Sequence, residues 1–167
     1  MWPRVAQALA TARLEVGDIG GAESLWIQIG DLGTATQASS LLAESILGRG
    51  MVGLLRGELH MGRETLEDAE IRLRGQVRPL QLSSVLLTLA ELGLAQGSLL
   101  VCDERAREAE RVARDIPRVV HCIHALGVAG QARSAQGKSA DALRMAREGA
   151  TLARARGRVD TVPELLA

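Results

Sequence analysis

The segment 132–139 carries the side chains best suited to phosphate chemistry. It reads Ala-Arg-Ser-Ala-Gln-Gly-Lys-Ser, a relaxed form of the P-loop, in which backbone N–H groups and a lysine hold phosphate at a helix N-terminus. The upstream run 99–104 is apolar and ends in Asp-Glu, like the acidic segment that holds magnesium in such enzymes. Taken alone, the two segments would suit an NTPase.

Three features of these segments oppose nucleotide hydrolysis. Ala132 replaces the first glycine of the pattern, and the residues before Gly137 have a helical pattern where a P-loop requires a strand. The acidic run also precedes the loop, which reverses the usual order. We therefore predict a turn between two helices with Ser139 as the helix N-cap, and we keep a P-loop NTPase only as a remote alternative.

His121, Cys122 and His124 are the one cluster of metal-ligating residue types in the sequence. On a helix, His121 and His124 lie about one turn apart and could share a zinc ion, with His60 or Cys102 as a third ligand. Hydrogen-bonded histidines and a buried thiol on a packed helix face explain the same residues. The zinc site stays open as an alternative to packing, and we expect no cofactor.

The segment Gly48–Gly53 has the spacing of a dinucleotide-binding loop. No strand pattern precedes it, and the acidic residues Asp31 and Glu44 lie upstream of it instead of downstream. The three histidines have no nucleophile motif beside them, so no serine, histidine and acid arrangement can be selected. We predict that the protein is not an enzyme and has no catalytic residue.

Composition narrows the classes of partner. The formal net charge is zero, which argues against a general binder of nucleic acid or acidic membranes. Trp2 and Trp26 are the only aromatic residues, so platforms for base stacking are scarce. No apolar run is long enough to span a membrane and no signal-peptide pattern begins the chain. We expect a cytoplasmic protein without membrane or direct nucleic-acid contact, in which Cys102 and Cys122 are reduced and buried.

Arginine greatly outnumbers lysine, because Lys138 is the single lysine, and asparagine is absent. This bias is typical of GC-rich codons and predicts a bacterial gene. Charge is also uneven along the chain: the first fifty residues lean acidic, and the C-terminal part is basic. A solvated helix face explains the basic residues, and the alternative is a patch for an acidic partner or for the acidic end of another copy.

The elements that position these residues are helices. Apolar residues recur at spacings of three and four, whereas alternating strand patterns are nearly missing. A glycine separates the two helices of each pair. Prolines suit the first turn of a helix, and we expect them to begin helices of these pairs. These glycines are Gly17, Gly62, Gly97 and Gly137, and these prolines are Pro3, Pro79, Pro117 and Pro163. We predict one all-α domain over 1–167 with helix pairs at 2–33, 36–76, 79–115 and 117–157, and the start of a further helix at 160–167.

The segment 32–62 is the least regular part of this pattern. Gly48, Gly50, Gly53 and Gly57 interrupt a helical pattern there, and each costs about 1 kcal/mol relative to alanine in a helix. A kinked or split helix is therefore expected. Two explanations stay open for these glycines: a close approach of two helices, or a hinge or ligand-facing notch.

The chain resembles a tetratricopeptide repeat, in which two antiparallel helices pack through small residues around a tight turn. Around Gly137 these are Gly130, Ala142 and Gly149, with Leu126 as the large apolar residue of the first helix. Two further sets match: Leu86, Ala90, Cys102 and Ala109 around Gly97, and Ala10, Asp18 and Ala22 around Gly17. Around Gly62 the expected positions hold Leu55, Glu67 and Arg74, so that unit is expected to be degenerate or differently built.

The resemblance implies antiparallel hairpins stacked as a short right-handed solenoid that binds a protein or peptide segment without catalysis. Such irregular repeats, rich in Ala, Leu and Arg, also resemble the helical sensor arms of large bacterial signalling ATPases and LuxR-type transcription regulators. The implied role is a portion of a longer regulator, with a small-molecule effector sensor as the alternative and a homodimer left open. The partner-binding candidates are Gln131, Arg133, Gly50, Gly53 and Gly57.

Overall fold

A computed structural model describes residues 2–74, 78–115 and 119–155, and these residues form eight α-helices and no strand. The all-α prediction is confirmed. The helices are α1 (Trp2–Glu15), α2 (Ile19–Ala35), α3 (Ser39–Arg56), α4 (Leu59–Arg74), α5 (Pro79–Ala95), α6 (Leu99–Arg114), α7 (Val119–Ala135) and α8 (Ser139–Ala155). Pro79 begins α5 as predicted. The expected helix at 160–167, with Pro163, and the expected helix start at Pro117 lie outside the described residues.

Contacts divide the chain into two compact units. Unit 1 spans Met1–Gln76 and contains α1 to α4, and unit 2 spans Val77–Ala167 and contains α5 to α8. Within each unit every helix packs against the next one in the chain, and in unit 2 α5 also contacts α7. One continuous domain over 1–167 stays a prediction.

A tight turn recurs every 40 residues. Gly17, Gly57, Gly97 and Gly137 each follow the first helix of a pair with φ between +71° and +81°, a left-handed conformation that residues with a Cβ adopt at a cost. In each turn the residue after the glycine donates its backbone N–H to a carbonyl four residues upstream of that glycine, at 2.8 to 2.9 Å. This hydrogen bond closes the helix end in the Schellman pattern and reverses the chain.

The turn of the second pair lies at Gly57, and the prediction that placed it at Gly62 is wrong. Gly62 lies inside α4, at the same distance from its turn as Ala22, Cys102 and Ala142 have from theirs. Counted from Gly57, the small positions of this pair are Gly50, Gly62 and Ala69. The repeat is therefore regular where the sequence had suggested degeneration.

Helix α3 is continuous from Ser39 to Arg56, so the expected split of this helix is also wrong. Its glycines lie against neighbouring side chains: a Cβ at Gly48 would overlap the Trp26 ring, and a Cβ at Gly50 would lie 2.6 Å from the Leu66 side chain. The glycines thus admit large residues of α2 and α4. The packing gained there outweighs the low helix propensity of glycine.

The core of each unit is built from small and aliphatic residues. In unit 1, Ala6, Ala10, Ile29 and Val52 surround Trp26. In unit 2 the core cluster combines leucines and alanines with Cys102, and it includes Leu86, Leu126, Ala90, Ala106, Ala109 and Ala125. Cys102 and Cys122 are free and buried, as predicted. Among the described helices, none has the length and apolar character needed to cross a membrane.

Candidate partner-binding surface

Two polar stripes run along α5 and α7 in unit 2. Steps of three and four residues place each stripe on one side of its helix. The stripes, together called the α5–α7 face, consist of Ser84, Thr88, Glu91 and Ala95 on α5 and of His124, Gly127, Gln131 and Ser134 on α7, and Thr88 is the buried member. Because α5 contacts α7, the two stripes can be contacted by one partner.

A contact between a histidine and a carboxylate connects the two stripes. His124 Nε2 lies 2.9 Å from Glu91 Oε1, and the side chains are 55% and 34% exposed. The nearby hydroxyls are used within α5: Ser84 Oγ donates to the Leu80 carbonyl and Thr88 Oγ1 to the Ser84 carbonyl, each at 3.0 Å. The imidazole and the carboxylate are thus the polar groups that this part of the face offers.

Gln131 lies one helical turn further along the same face and is exposed, as its role as a partner-binding candidate requires. Its side chain makes no hydrogen bond to the described part of the chain. A primary amide has two N–H donors and an oxygen acceptor, a combination that pairs with a peptide group. Gln131 therefore extends the polar character of the face beyond the contact between Glu91 and His124.

Arg133 points away from this face. Its guanidinium donates to both carboxylate oxygens of Asp103 at 2.7 and 2.5 Å and to Asp141 at 3.4 Å, and only 13% of the side chain is exposed. The hydrogen bond with Asp103 raises the pKa of Arg133 further above its ordinary value. The hydrogen bond from Arg144 lowers the pKa of Asp141, and the charge of Arg133 adds a smaller effect in the same direction. Arg133 thus connects α7 to α6 and α8, and the structure gives its guanidinium a role within the fold.

The glycine candidates lie in unit 1. Gly50 and Gly53 are buried in α3 beneath α4, where a Cβ on Gly53 would lie 3.2 Å from the Gly62 Cα. Gly57 is exposed and forms the turn, with open space around the position of its missing Cβ. The structure therefore does not bring these three glycines together with Gln131 in one unit.

Cys122 and His124, two of the candidate zinc ligands, face different helices. The Cys122 thiol faces the Glu110 carbonyl of α6 at 4.0 Å, whereas His124 pairs with Glu91 of α5. Burial raises the pKa of Cys122, which favours the protonated thiol over the thiolate that a metal prefers. Within the described ranges, no group of three histidine, cysteine or acidic side chains has the arrangement of a metal site.

Residues 136–138 form the predicted turn between α7, which ends at Ala135, and α8. Ser139 is the first residue of α8, so the N-cap prediction is wrong by one position. Lys138 Nζ donates to Gln136 Oε1 at 2.8 Å, and Gln136 Nε2 donates to the Leu99 carbonyl at 3.1 Å. The polar side chains of this turn thus connect to α6, and a helix precedes the turn where a P-loop would have a strand.

Cys102 should make the protein lose stability at alkaline pH. Burial, with smaller effects of Asp103 and Glu91, raises the pKa of its thiol to about 11, whereas an unfolded thiol titrates near 8.5. Above about pH 8.5 the unfolded chain releases a proton that the folded chain keeps, so the stability falls as the pH rises towards 11. Urea unfolding at pH 7 and pH 10 should show this loss, and it should be smaller in Cys102→Ala.

Alanine is a suitable replacement because Ala22 and Ala142 occupy the equivalent positions of other pairs. Cys122 keeps its own raised pKa, so part of the alkaline effect should remain in the variant. An equal loss of stability in Cys102→Ala and in the unsubstituted protein would show that the Cys102 thiol does not carry the effect.

Sequence reasoning missed the role of Glu91. The 40-residue period of the turn glycines is the signal that could have identified this residue. This period makes Glu91 equivalent to Gln131, and Ser84 equivalent to His124. With that register, the residues of α5 and α7 that share a face can be listed from the sequence. The pairing of the Glu91 and His124 side chains still requires the structure.

Antiparallel helix pairs with a glycine turn every 40 residues define a helical-repeat protein with a tetratricopeptide-like fold. The chain is similar to the crystal structure of a putative kinesin light chain from Podospora anserina with nearly identical tetratricopeptide-like repeats, at a TM-score of 0.71 and 16% identity. The alignment covers 98% of this chain and 90% of the other, and a single-substitution variant of the same protein gives the same values. No protein-family model and no curated protein matches the chain.

Proposed function

We propose that the chain is a non-catalytic scaffold that binds a protein or peptide segment on the α5–α7 face. The observation that carries this proposal is the contact between the exposed His124 and the half-buried Glu91, with the exposed Gln131 beside it, on two helices of a repeat fold. Lys138 of the P-loop alternative and Cys122 of the zinc alternative make contacts within the fold instead, with Gln136 and with the Glu110 carbonyl.

The chemistry of the face indicates what it would bind. Gln131 can donate to and accept from one peptide group, and the imidazole and carboxylate can each exchange their mutual contact for a polar group of the partner. The small residues Ala95, which is exposed, and Gly127, which is half-buried, let a backbone approach these side chains closely. An extended peptide with polar side chains fits this combination better than an apolar helix does.

Binding variants test the proposal. Peptides selected from a displayed random library against the protein should bind His124→Ala and Gln131→Ala at least about tenfold more weakly, because central contacts carry most of the energy of an interface. Gln28→Ala is the matched control, since this exposed amide lies on α2 in unit 1. Selected peptides whose affinity is the same for all three variants would contradict the assignment of the face.

A regulatory context is part of the proposal. The Ala, Leu and Arg-rich repeats support a sensor portion of a bacterial, cytoplasmic transcriptional or signalling regulator of the LuxR or signalling-ATPase type. The test is the full open reading frame and its flanking sequence. A DNA-binding or ATPase module encoded next to this region would support the proposal, and an unrelated catalytic module would contradict it.

A pocket in unit 1 favours effector sensing as a second candidate function. Its volume is about 150 Å³, below the several hundred Å³ of a typical drug-sized site, so a small metabolite is the ligand it suits. Its lining residues are Ser39, Leu42, Ala43, Ile46, Ala69, Arg72 and Leu73. A thermal-shift screen with metabolites tests this candidate, because a ligand that binds only the folded state raises the melting temperature.

A further inference from the structure

Helix α8 presents a row of arginines to solvent. Arg144, Arg147 and Arg154 are exposed and lie on one side of the helix, because they are separated by three and seven residues. Arg144 pairs with Asp141 at 3.1 Å, whereas Arg147 and Arg154 form no ion pair with any residue of the described ranges. Leu143, 47% exposed, lies next to this arginine stripe. The stripe combines unneutralised positive charge with an apolar side chain.

Helix α4 presents the opposite charge. Glu64 and Glu67 are exposed on one side of α4, and the large apolar residues Met61 and Ile71 flank them at 63% and 73% exposure. Glu64 lies 3.7 Å from His60, and Glu67 has no ion pair within the described ranges. This acidic stripe therefore also combines charge that is not neutralised with apolar surface.

The charges of the two stripes agree in sign with the net charges of the two units. Unit 1 contains ten acidic and seven basic residues, which gives a net charge of −3, and unit 2 contains thirteen basic and ten acidic residues, which gives +3. The chain as a whole is neutral, so two copies do not repel each other through their net charge. Opposite charges on separate units steer two copies towards contacts between unlike units.

We propose that copies of this chain associate through the acidic stripe of α4 on one copy and the arginine stripe of α8 on another. Arginine binds a carboxylate through two parallel hydrogen bonds, which fixes the register of the contact. Leu143 on one side and Met61 and Ile71 on the other supply apolar contacts around the ion pairs. A second copy is the favoured occupant because the chain itself carries both complementary stripes. This contact uses helices other than those of the α5–α7 face, so it does not rest on peptide binding.

Sedimentation velocity across a range of protein concentrations tests the proposal. The weight-average mass should rise with concentration at low salt and should return to that of the monomer near 1 M salt, where the Debye length is about 3 Å. Arg147→Glu and Glu67→Arg should each weaken the association at least about fivefold, because each replaces an attraction with a repulsion. Arg111→Glu is the control, since it makes the same charge change in unit 2 on the exposed side of α6.

Mixing the two variants gives the decisive measurement. Arg147→Glu copies carry an acidic α8 and Glu67→Arg copies carry a basic α4, so the mixture should associate more strongly than either variant alone. The circular dichroism of each variant should equal that of the unsubstituted protein, because the substituted side chains are exposed. A protein that stays monomeric at low salt, an association unchanged by either substitution, or a mixture without recovery would overturn the proposal.

Discussion

Replacing Gly53 with leucine is expected to destabilise unit 1 by about 3 kcal/mol or more, the upper part of the range for overpacking. A Cβ at this position would lie 3.2 Å from Gly62 Cα and 3.5 Å from Gly62 N. Both atoms belong to the α4 backbone, so no side-chain rotation can make room. The helices α3 and α4 must separate to admit the new side chain, and the contacts along both of them weaken.

Gly20→Ala is the matched control for this substitution. A Cβ at Gly20 meets no atom within 4 Å, so alanine should stabilise α2 by up to about 1 kcal/mol through its higher helix propensity. Urea unfolding followed by Trp26 emission measures both changes, because this ring is buried in the core of unit 1. If Gly53→Leu unfolds at the same urea concentration as the unsubstituted protein, the position has free space and the ligand-facing notch becomes the better explanation.

The glycines of α3 show how far sequence reasoning reaches. Helical periodicity, turn glycines and small residues predict the helix class and most helix pairs, because these features act within a few residues of the chain. Gly57 and not Gly62 adopts the positive φ of the turn. The sequence holds a signal for this choice, because 40-residue steps from Gly17 lead to Gly57, Gly97 and Gly137 in turn.

The candidate site was less predictable than the helices, because its residues are brought together by the packing of different helices. Gln131 is exposed on a face that the repeat resemblance indicated, whereas the guanidinium of Arg133 binds Asp103 on a neighbouring helix. Both residues lie near the end of one helix, and the sequence alone does not say which helix each one faces. Long-range side-chain contacts such as Glu91–His124 depend on helix packing, so local patterns carry no direct record of them.

Replacing Leu86 with alanine is expected to destabilise unit 2 by about 3 to 5 kcal/mol. Leu86 is fully buried in α5, and much of its surrounding cluster is alanine and cysteine, including Ala90, Cys102 and Ala106. Short side chains cannot extend into the cavity that the substitution leaves, so the lost contacts are not replaced. Far-UV circular dichroism during urea unfolding measures this effect. Leu100→Ala is the control, because Leu100 is 76% exposed and its truncation should change stability by less than about 0.5 kcal/mol.

The Gly53 and Leu86 substitutions together also decide whether the chain is one domain. Both tryptophans, Trp2 and Trp26, belong to unit 1, so their emission reports that unit, whereas circular dichroism reports helices of both units. In a repeat protein each helix pair is stabilised mainly by its neighbours, so a local defect need not spread through the chain. We expect Leu86→Ala to shift the dichroism transition more than the emission transition, and Gly53→Leu to shift the emission transition more. Coincident transitions in both variants would instead establish one cooperative domain over residues 1–167, and the two contact-defined units would not unfold separately.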